Sequence, residues 1–281
     1  MADQAPRRPR TPRLATVLRT SRPTPHLVRV VLGGDGLAGF APEHSDSYVK
    51  ILFAPAGAPY ATPFDVEQVR SEHPQELWPT TRTYTVREWD AATGELTIDF
   101  VVHGDEGVAG PWALAARAGD VVQLLGPGGA YTPSPDVDWH LLVGDDTALP
   151  AITAALARLP EGAHARVFVE VGDAADEQPL PGGPGVEVEW VHRADGHPGT
   201  ALVAAVCAAE LPAGSVQVFV HGEAGAVRDV RRFLRAHHDV PRELLSISGY
   251  WRVGRTEDRW QAEKREWNAA VEAEEQTLTV G

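Results

Sequence analysis

The 281-residue sequence predicts two domains of different class: an antiparallel β-barrel, then a Rossmann-like α/β domain with a parallel sheet and a C-terminal helix. Two textures carry that reading. From Leu14 to about Tyr131, short stretches rich in β-branched and aromatic residues alternate with polar ones at period two, punctuated by Gly and Pro. After Pro133 and Pro135, compact apolar runs alternate with helical segments, as in a parallel sheet covered on both faces. The boundary falls near residues 132–138, giving domains of 1–134 and 135–281.

Each element follows in order. Residues 1–13, charged and broken by prolines, read as a flexible arm. RLATVLRTS, HLVRVVLGG, SYVKILFAP, TRTYTVREW, GELTIDFVVH and DVVQLLGP read as strands at near-even spacing, which suits a small barrel. GPWALAARAG is a helix placed before the last of them. The Pro/Ala/acid-rich stretch between Phe53 and Pro79 reads as a long loop and a candidate flap. In the second domain WHLLVG, ARVFVEV, VEVEWVH, VQVFVHG and LLSISGYW are apolar strands. TALPAITAALARL, ALVAAVCAAEL and EAGAVRDVRRFLRAHH are helical segments between them. TEDRWQAEKREWNAAVEAEEQ has helical spacing, with Trp260 and Trp267 on one face, and is read as a helix docked on the body.

Composition narrows the function. With 39 acidic against 25 basic side chains the net charge is −14, which repels a phosphate backbone and disfavours nucleic-acid binding. No apolar run approaches the roughly 20 residues of a membrane span, and no apolar core follows the charged start. The expectation is a cytoplasmic monomer without membrane insertion. Cys207 is the only cysteine, so an intramolecular disulfide, a cysteine-ligated zinc site and a four-cysteine iron–sulfur cluster are excluded; no metal site is expected.

Several clusters carry chemistry. In RTYTVR, strand alternation puts Arg82 and Tyr84 on one face and Thr83 and Thr85 on the other. A cation, a flat aromatic and a hydroxyl together suit a flavin; a plain barrel strand is the alternative. Gly110-Pro111-Trp112-Ala113 opens a helix whose free N–H groups suit a phosphate, though Pro in the first turn is also ordinary capping. His103, closing DFVVH, reads as a nucleotide contact or a structural histidine. Gly144-Asp145-Asp146-Thr147-Ala148-Leu149-Pro150 runs from a strand into a helix, where glycine and the helix N-terminus favour a dinucleotide. It is not the G-x-G-x-x-G fingerprint, and the aspartates equally cap a helix. His221-Gly222-Glu223 ends another strand on the ligand side. Tyr250 and Trp251 follow the last strand and read as a flavin cover or as core anchors. Arg252 and Arg255 attract an anionic substrate or balance the acidic tail.

Taken in order, SYVKILF, RTYTVR, DFVVHGDEGVAGPWA, GDVVQLLGPGG, GDDTALPAI, VHGEA and GYWRVGRTE resemble the siderophore-interacting protein family, FAD-containing ferric-siderophore reductases within the ferredoxin–NADP reductase superfamily. The resemblance covers nearly the whole chain. It implies that Arg82, Thr83, Tyr84 and Thr85 hold the FAD diphosphate and isoalloxazine. Asp99, Val101, Val102 and His103, with Gly110 to Ala113, would hold the rest of the nucleotide. Gly144, Asp145, Asp146, Thr147, Ala148 and Pro150, with His221, Gly222 and Glu223, would face the nicotinamide cofactor, and Tyr250 and Trp251 would lie close to the flavin. Lys50 and Arg252 would form a cationic mouth for the ferric siderophore, with Thr85 near flavin N5. Ala130 stands where relatives often carry a basic residue, which leaves room for hydroxamate or mixed siderophores. The acidic VFVEVGDAADE suits a free ribose 2′-OH, hence NADH over NADPH. The expected activity is electron transfer from NAD(P)H through FAD to siderophore-bound Fe(III). The alternatives are a general flavin or ferric-chelate reductase and a non-catalytic siderophore-binding module.

Overall fold

The computed structural model describes residues 12–102, 107–193, 196–238 and 240–278, and the chain divides into two compact units at Ala130/Tyr131. Residues 1–11 of the N-terminal arm and His103 lie outside the described residues, whereas Arg13, expected in the arm, opens the first strand.

Unit 1 contains β1 (Arg13–Thr24), β2 (Leu27–Gly33), β3 (Tyr48–Phe53), α1 (Val66–Glu72), β4 (Thr80–Thr85), β5 (Glu88–Asp90), β6 (Glu95–Val101), α2 (Ala109–Ala115) and β7 (Val121–Gly128). The strands form one sheet in the order β4-β3-β7-β1-β2-β6-β5, every pair antiparallel. The two edge strands, β4 and β5, are consecutive in the chain and joined only by Val86 and Arg87. Two residues reach less than about 10 Å, so the edges must lie side by side and the sheet curls into a barrel. Consecutive amides mark the seam: Val86 donates to Ser47 O at 2.7 Å and Arg87 to Thr97 O at 3.1 Å. This is why TRTYTVREW, expected as one strand, splits into β4 and β5. Leu32, Val49, Ile51, Leu96, Ile98, Phe100 and Leu124, all fully buried, fill the interior.

The stretch after Phe53 is not a structureless loop. Asp65 caps α1 by accepting from the N–H groups of Glu67 and Gln68. Buried Gln123 grips Phe64 at both backbone groups, accepting from its N–H at 3.0 Å and donating to its carbonyl at 2.8 Å. Val69 is buried beneath the helix.

Unit 2 contains β8 (Trp139–Asp145), α3 (Leu149–Leu156), β9 (His164–Val171), β10 (Val186–His192), α4 (Thr200–Ala208), β11 (Val216–Glu223), α5 (Ala224–His237), β12 (Leu245–Trp251) and α6 (Glu257–Leu278). All five strands are parallel, in the order β10-β9-β8-β11-β12. The strand order reverses between β8 and β11, so an open crevice lies beyond their carboxyl ends. One apolar layer joins α3 to Leu142, Val167, Val169 and Phe219; the other joins α4 and α5 to Leu141, Val143, Val218 and Val220. The C-terminal helix docks through Trp260, which is fully buried, donates from Nε1 to Gly249 O at 3.3 Å and meets Trp267 edge-on at 5.4 Å. Gly249 makes room for it: a Cβ there would lie 3.0 Å from the indole. No helix of the described residues is long and apolar enough to cross a membrane.

Candidate functional site

In unit 1 the β3–β4 register sets Lys50 opposite Thr83, Ile51 opposite Arg82 and Val49 opposite Tyr84. Opposed residues share a face, so Arg82 and Tyr84 lie on the side of buried Val49 and Ile51, whereas Lys50 and Thr83 are exposed on the other. Lys50 therefore does not share a face with Arg82 and Tyr84. The Tyr84 ring, half-buried, packs on Phe100 at 4.2 Å; Phe100 meets Trp112 at 5.5 Å, and Trp112 meets Phe53 at 5.7 Å. This aromatic array ties β4, β6 and the start of α2 together. Arg82 is half-buried, with Nη1 donating to Thr81 O at 2.9 Å, and Thr85 is buried. Val108 gives α2 no side-chain cap. A Cβ on Gly110 would only touch Val102 Cγ1 at 3.7 Å, so protein packing does not demand glycine there. Val101 is half-buried, and Val102, buried, donates its N–H to His26 O at 2.9 Å; Ala113 is buried in the core and Pro111 lies in the first turn. A cation, a partly open aromatic face and a helix start without a side-chain cap from Val108 are the donor set a flavin nucleotide takes, and these residues fit FAD.

Asp99 has another occupation. It accepts two hydrogen bonds from Arg29 (2.7 and 2.9 Å) and pairs with Arg87 Nη1 at 3.1 Å, with its carboxylate almost wholly buried. Burial pushes the Arg87 pKa down although Asp99 opposes that shift, whereas the hydrogen bonds that Arg29 donates to Asp99 raise its own. Two arginines thus hold the carboxylate that the sequence had offered to the nucleotide.

In unit 2 the expected residues do converge at the reversal of strand order, but most are engaged with one another. Asp145 Oδ1 accepts from the Thr147 N–H (3.0 Å) and hydroxyl (2.5 Å); Oδ2 accepts from the Glu223 N–H (2.8 Å) and Trp251 Nε1 (2.7 Å). Gly222, at φ +135°, is required because a Cβ there would stand 2.6 Å from Asp145 Oδ2. Gly144 is required by a close approach too, its Cβ falling 2.5 Å from Ala148 Cβ and 2.8 Å from His221 O. Glu223 caps α5 through Ala226 N (2.9 Å) and accepts from Val253 N (3.2 Å). Glu170, at the end of β9, accepts from Gly199 N (2.9 Å) and Leu202 N (3.4 Å) at the start of α4.

These contacts qualify one expectation: the helix starts on this side of the sheet are already partly capped by the protein itself. Carboxylates cap α4 and α5. Before α3, Asp145 takes the Thr147 amide, Pro150 has no N–H, and the Ala151 and Ile152 amides bond back to Ala148 O. The acids of VFVEVGDAADE are likewise engaged internally: Glu170 as above, Asp173 on Ala175 N, Asp176 buried, and Glu177 on His192 at 2.7 Å. Engaged in this way, these acids do not by themselves choose between NADH and NADPH, although Asp173 and Glu177 stay exposed.

Arg193, just past β10, bridges Glu170 (3.0 Å) and Asp146 (3.3 Å). Burial and the charge of Asp145 push the Asp146 carboxyl up to about 7, against the pull of Arg193. His221 stacks on Phe219 at 3.8 Å, meets Tyr250 at 5.0 Å and shares a 2.9 Å hydrogen bond with Ser246. Burial, with the nearby Lys264 charge, pushes its pKa down to about 3, so the ring is neutral. Arg252 is half-exposed beyond β12, and Arg255 pairs with Glu263 at 2.8 Å. Arg29, Arg87 and Arg193 were missed in the sequence; the partners of Arg29 and Arg193 lie 70 and 23–47 residues away, and Arg87 meets Asp99 only through the pairing of neighbouring strands.

Comparison with known proteins places these features. A model of the siderophore-interacting FAD-binding domain matches residues 16–131, and a model of the siderophore-interacting protein matches residues 137–254. An uncharacterized protein of Mycobacterium tuberculosis is 44% identical over 266 residues, covering 89% of this chain and 93% of that protein. The ferric vibriobactin reductase ViuB of Vibrio cholerae is 33% identical, covering 90% of this chain and 94% of its own length. The crystal structure of a siderophore utilization protein from T. fusca superposes with a TM-score of 0.77 at 38% identity, covering 89% of this chain and 95% of that one.

Proposed function

The chain belongs to the siderophore-interacting protein family and is an FAD-dependent oxidoreductase, and we propose that it passes electrons from NAD(P)H through FAD to siderophore-bound Fe(III), releasing Fe(II). The observation that carries this reading is the Arg82–Tyr84 face of β4, with its cation and half-open aromatic ring, inside a domain matched by the family's FAD-binding model. The name of the ViuB relative supports the acceptor.

FAD, when bound, takes two electrons from NAD(P)H together and releases them singly, as a one-electron acceptor such as Fe(III) requires. The rest is positioning by this chain. Arg82 offsets the diphosphate charge, helped by the first amides of α2. Tyr84, braced by Phe100, would keep the ring plane, and Thr85, which ends β4 on the opposite face, would give its hydrogen bond at the ring's edge from the strand end. The carboxyl end of the parallel sheet takes the nicotinamide cofactor, where neutral His221 adds no charge. Arg252 draws the anionic ferric complex. Siderophore oxygens are hard ligands matched to Fe(III), so reduction loosens them. The protein works as a cytoplasmic monomer in this reading.

The test is an anaerobic visible spectrum of the purified protein, with NADH, NADPH and a ferric siderophore added in turn. Flavin bands that bleach with a nicotinamide and return with the siderophore are expected. Equal reoxidation by simple ferric chelates would instead favour a general ferric-chelate reductase. A colourless protein that takes up no added FAD would leave only a binding module.

A further inference from the structure

Four residues that the sequence offered to the cofactors, Thr147, Gly222, Glu223 and Trp251, meet at one carboxylate. Asp145, almost fully buried at the end of β8, receives the Trp251 indole N–H at 2.7 Å and the Glu223 amide at 2.8 Å on the same oxygen. Its other oxygen holds both polar groups of Thr147, and Gly222 lacks a side chain where the carboxylate sits. With its N–H donors already in place, such a carboxylate has little capacity left for a ligand. Trp251 is different: it is half-exposed, ends β12 and lies at the carboxyl end of the sheet, where ligands of this architecture bind. An indole has two soft torsions, and a short hydrogen bond to a buried carboxylate fixes both of them.

We infer that Asp145 is a positioning residue: it binds no cofactor, and it sets the plane of the Trp251 indole and the backbone of the Gly222–Glu223 turn, so that a flat nicotinamide meets a preformed surface. This rests on the reading that the carboxyl end of the sheet takes the nicotinamide. The physical benefit is preorganisation, since an indole already held need not be ordered when the ligand arrives.

A double-mutant cycle on the FAD-loaded full chain tests it, with Asp145→Ala and Trp251→Phe singly and together. Asp145→Asn, whose single carbonyl serves only one side of the knot, stands in if the alanine variant does not fold. Two readouts are taken. The first, independent of turnover, is near-ultraviolet circular dichroism of the tryptophans. The Asp145 substitution should change the spectrum in the native background and leave it unchanged when residue 251 is Phe. The second is the KM for NADH and NADPH in anaerobic flavin reduction. A rise of about tenfold is expected from Asp145→Ala in the native background, falling to less than about twofold in the Trp251→Phe background. Equal effects of the Asp145 substitution in both backgrounds, in either readout, would overturn the proposal. If neither nicotinamide reduces the wild-type protein, the functional reading fails, and the dichroism arm alone decides whether Asp145 orients Trp251.

Discussion

Replacing Asp99 by alanine separates two roles that the sequence alone leaves mixed. Its carboxylate is 1% exposed and lies against the guanidinium groups of Arg29, 25% exposed, and Arg87, 12% exposed. Breaking a buried ion pair by removing one partner costs about 3–5 kcal/mol, because the remaining charge stays desolvated. Here two cations lose one counter-charge while Glu88 still acts on both, and Arg29 can turn toward water, so the same range applies to the trio. For a unit of roughly this size each kcal/mol moves the midpoint by about 3–5 °C, which predicts a fall of about 9–25 °C. Scanning calorimetry should show that fall in the transition that unfolds unit 1. Below the new midpoint the variant should still bind FAD, with affinity reduced less than about tenfold. A melting temperature within a few degrees of wild type, together with loss of FAD, would refute the reasoning and make Asp99 a ligand.

Four further outcomes follow from the same geometry. Arg82→Ala removes charge-assisted hydrogen bonds worth about 1.5–3 kcal/mol, so FAD affinity should fall about 10- to 150-fold; full occupancy on gel filtration would remove Arg82 from the site. Gly222→Ala drives a Cβ to 2.6 Å from the Asp145 carboxylate at φ +135°, costing about 3–5 kcal/mol in urea denaturation, whereas Gly254→Ala, with open space at φ +72°, should cost only about 1–2. Asp146 is held up to about 7 by burial and Asp145, above its unfolded value, so the folded state binds the extra proton and loses stability as pH rises from about 4 to 7. Asp146→Asn abolishes that loss: its stability relative to wild type should climb by at most about 1.4 kcal/mol per pH unit over that window and then level off, and a pH-independent difference would contradict the assignment. Finally, if the helix starts give the cofactor diphosphate little help, reduced nicotinamide mononucleotide should reduce the flavin with a KM within about tenfold of NADH; a gap above about a hundredfold would show a strong diphosphate anchor.

The strands were legible because their signal is local. VQVFVHG and WHLLVG are continuous apolar runs, and in the structure β11 and β8 are buried along their whole length. The β4–β5 break was not legible, since TRTYTVREW keeps strand propensity throughout and only closure of the sheet interrupts it. Nor was α1, whose VEQVRSE has just two apolar residues and depends on the Asp65 cap and on Gln123, bonded to Phe64 59 positions away. The same limit applies at the site. Alternation alone places Arg82 with Tyr84. The work of Asp145 depends on Glu223 and Trp251, 78 and 106 residues distant, and that of Glu170 on a helix start 29 residues on. Acidic residues at strand ends look alike whether they wait for a ribose or cap the next helix.

That ambiguity bears on how an acidic chain receives anionic ligands. At the carboxyl end of the parallel sheet stand Asp145, Asp146, Glu170 and Glu223, which would repel a dinucleotide if their charges were open to it. Each is compensated at contact distance: Asp145 by three N–H groups and a hydroxyl, Glu170 and Glu223 by helix starts, and Asp146 by Arg193 and, near neutral pH, by a proton. Compensation at that range leaves mainly dipolar fields, which decay faster than the field of a bare charge and are screened further beyond roughly 8–10 Å. The net charge of −14 is therefore a poor guide to the field at this crevice. The carboxylates stiffen the floor of the crevice, and in the proposed reading discrimination would fall to the side chains that stay partly exposed there, Tyr250, Trp251 and Arg252.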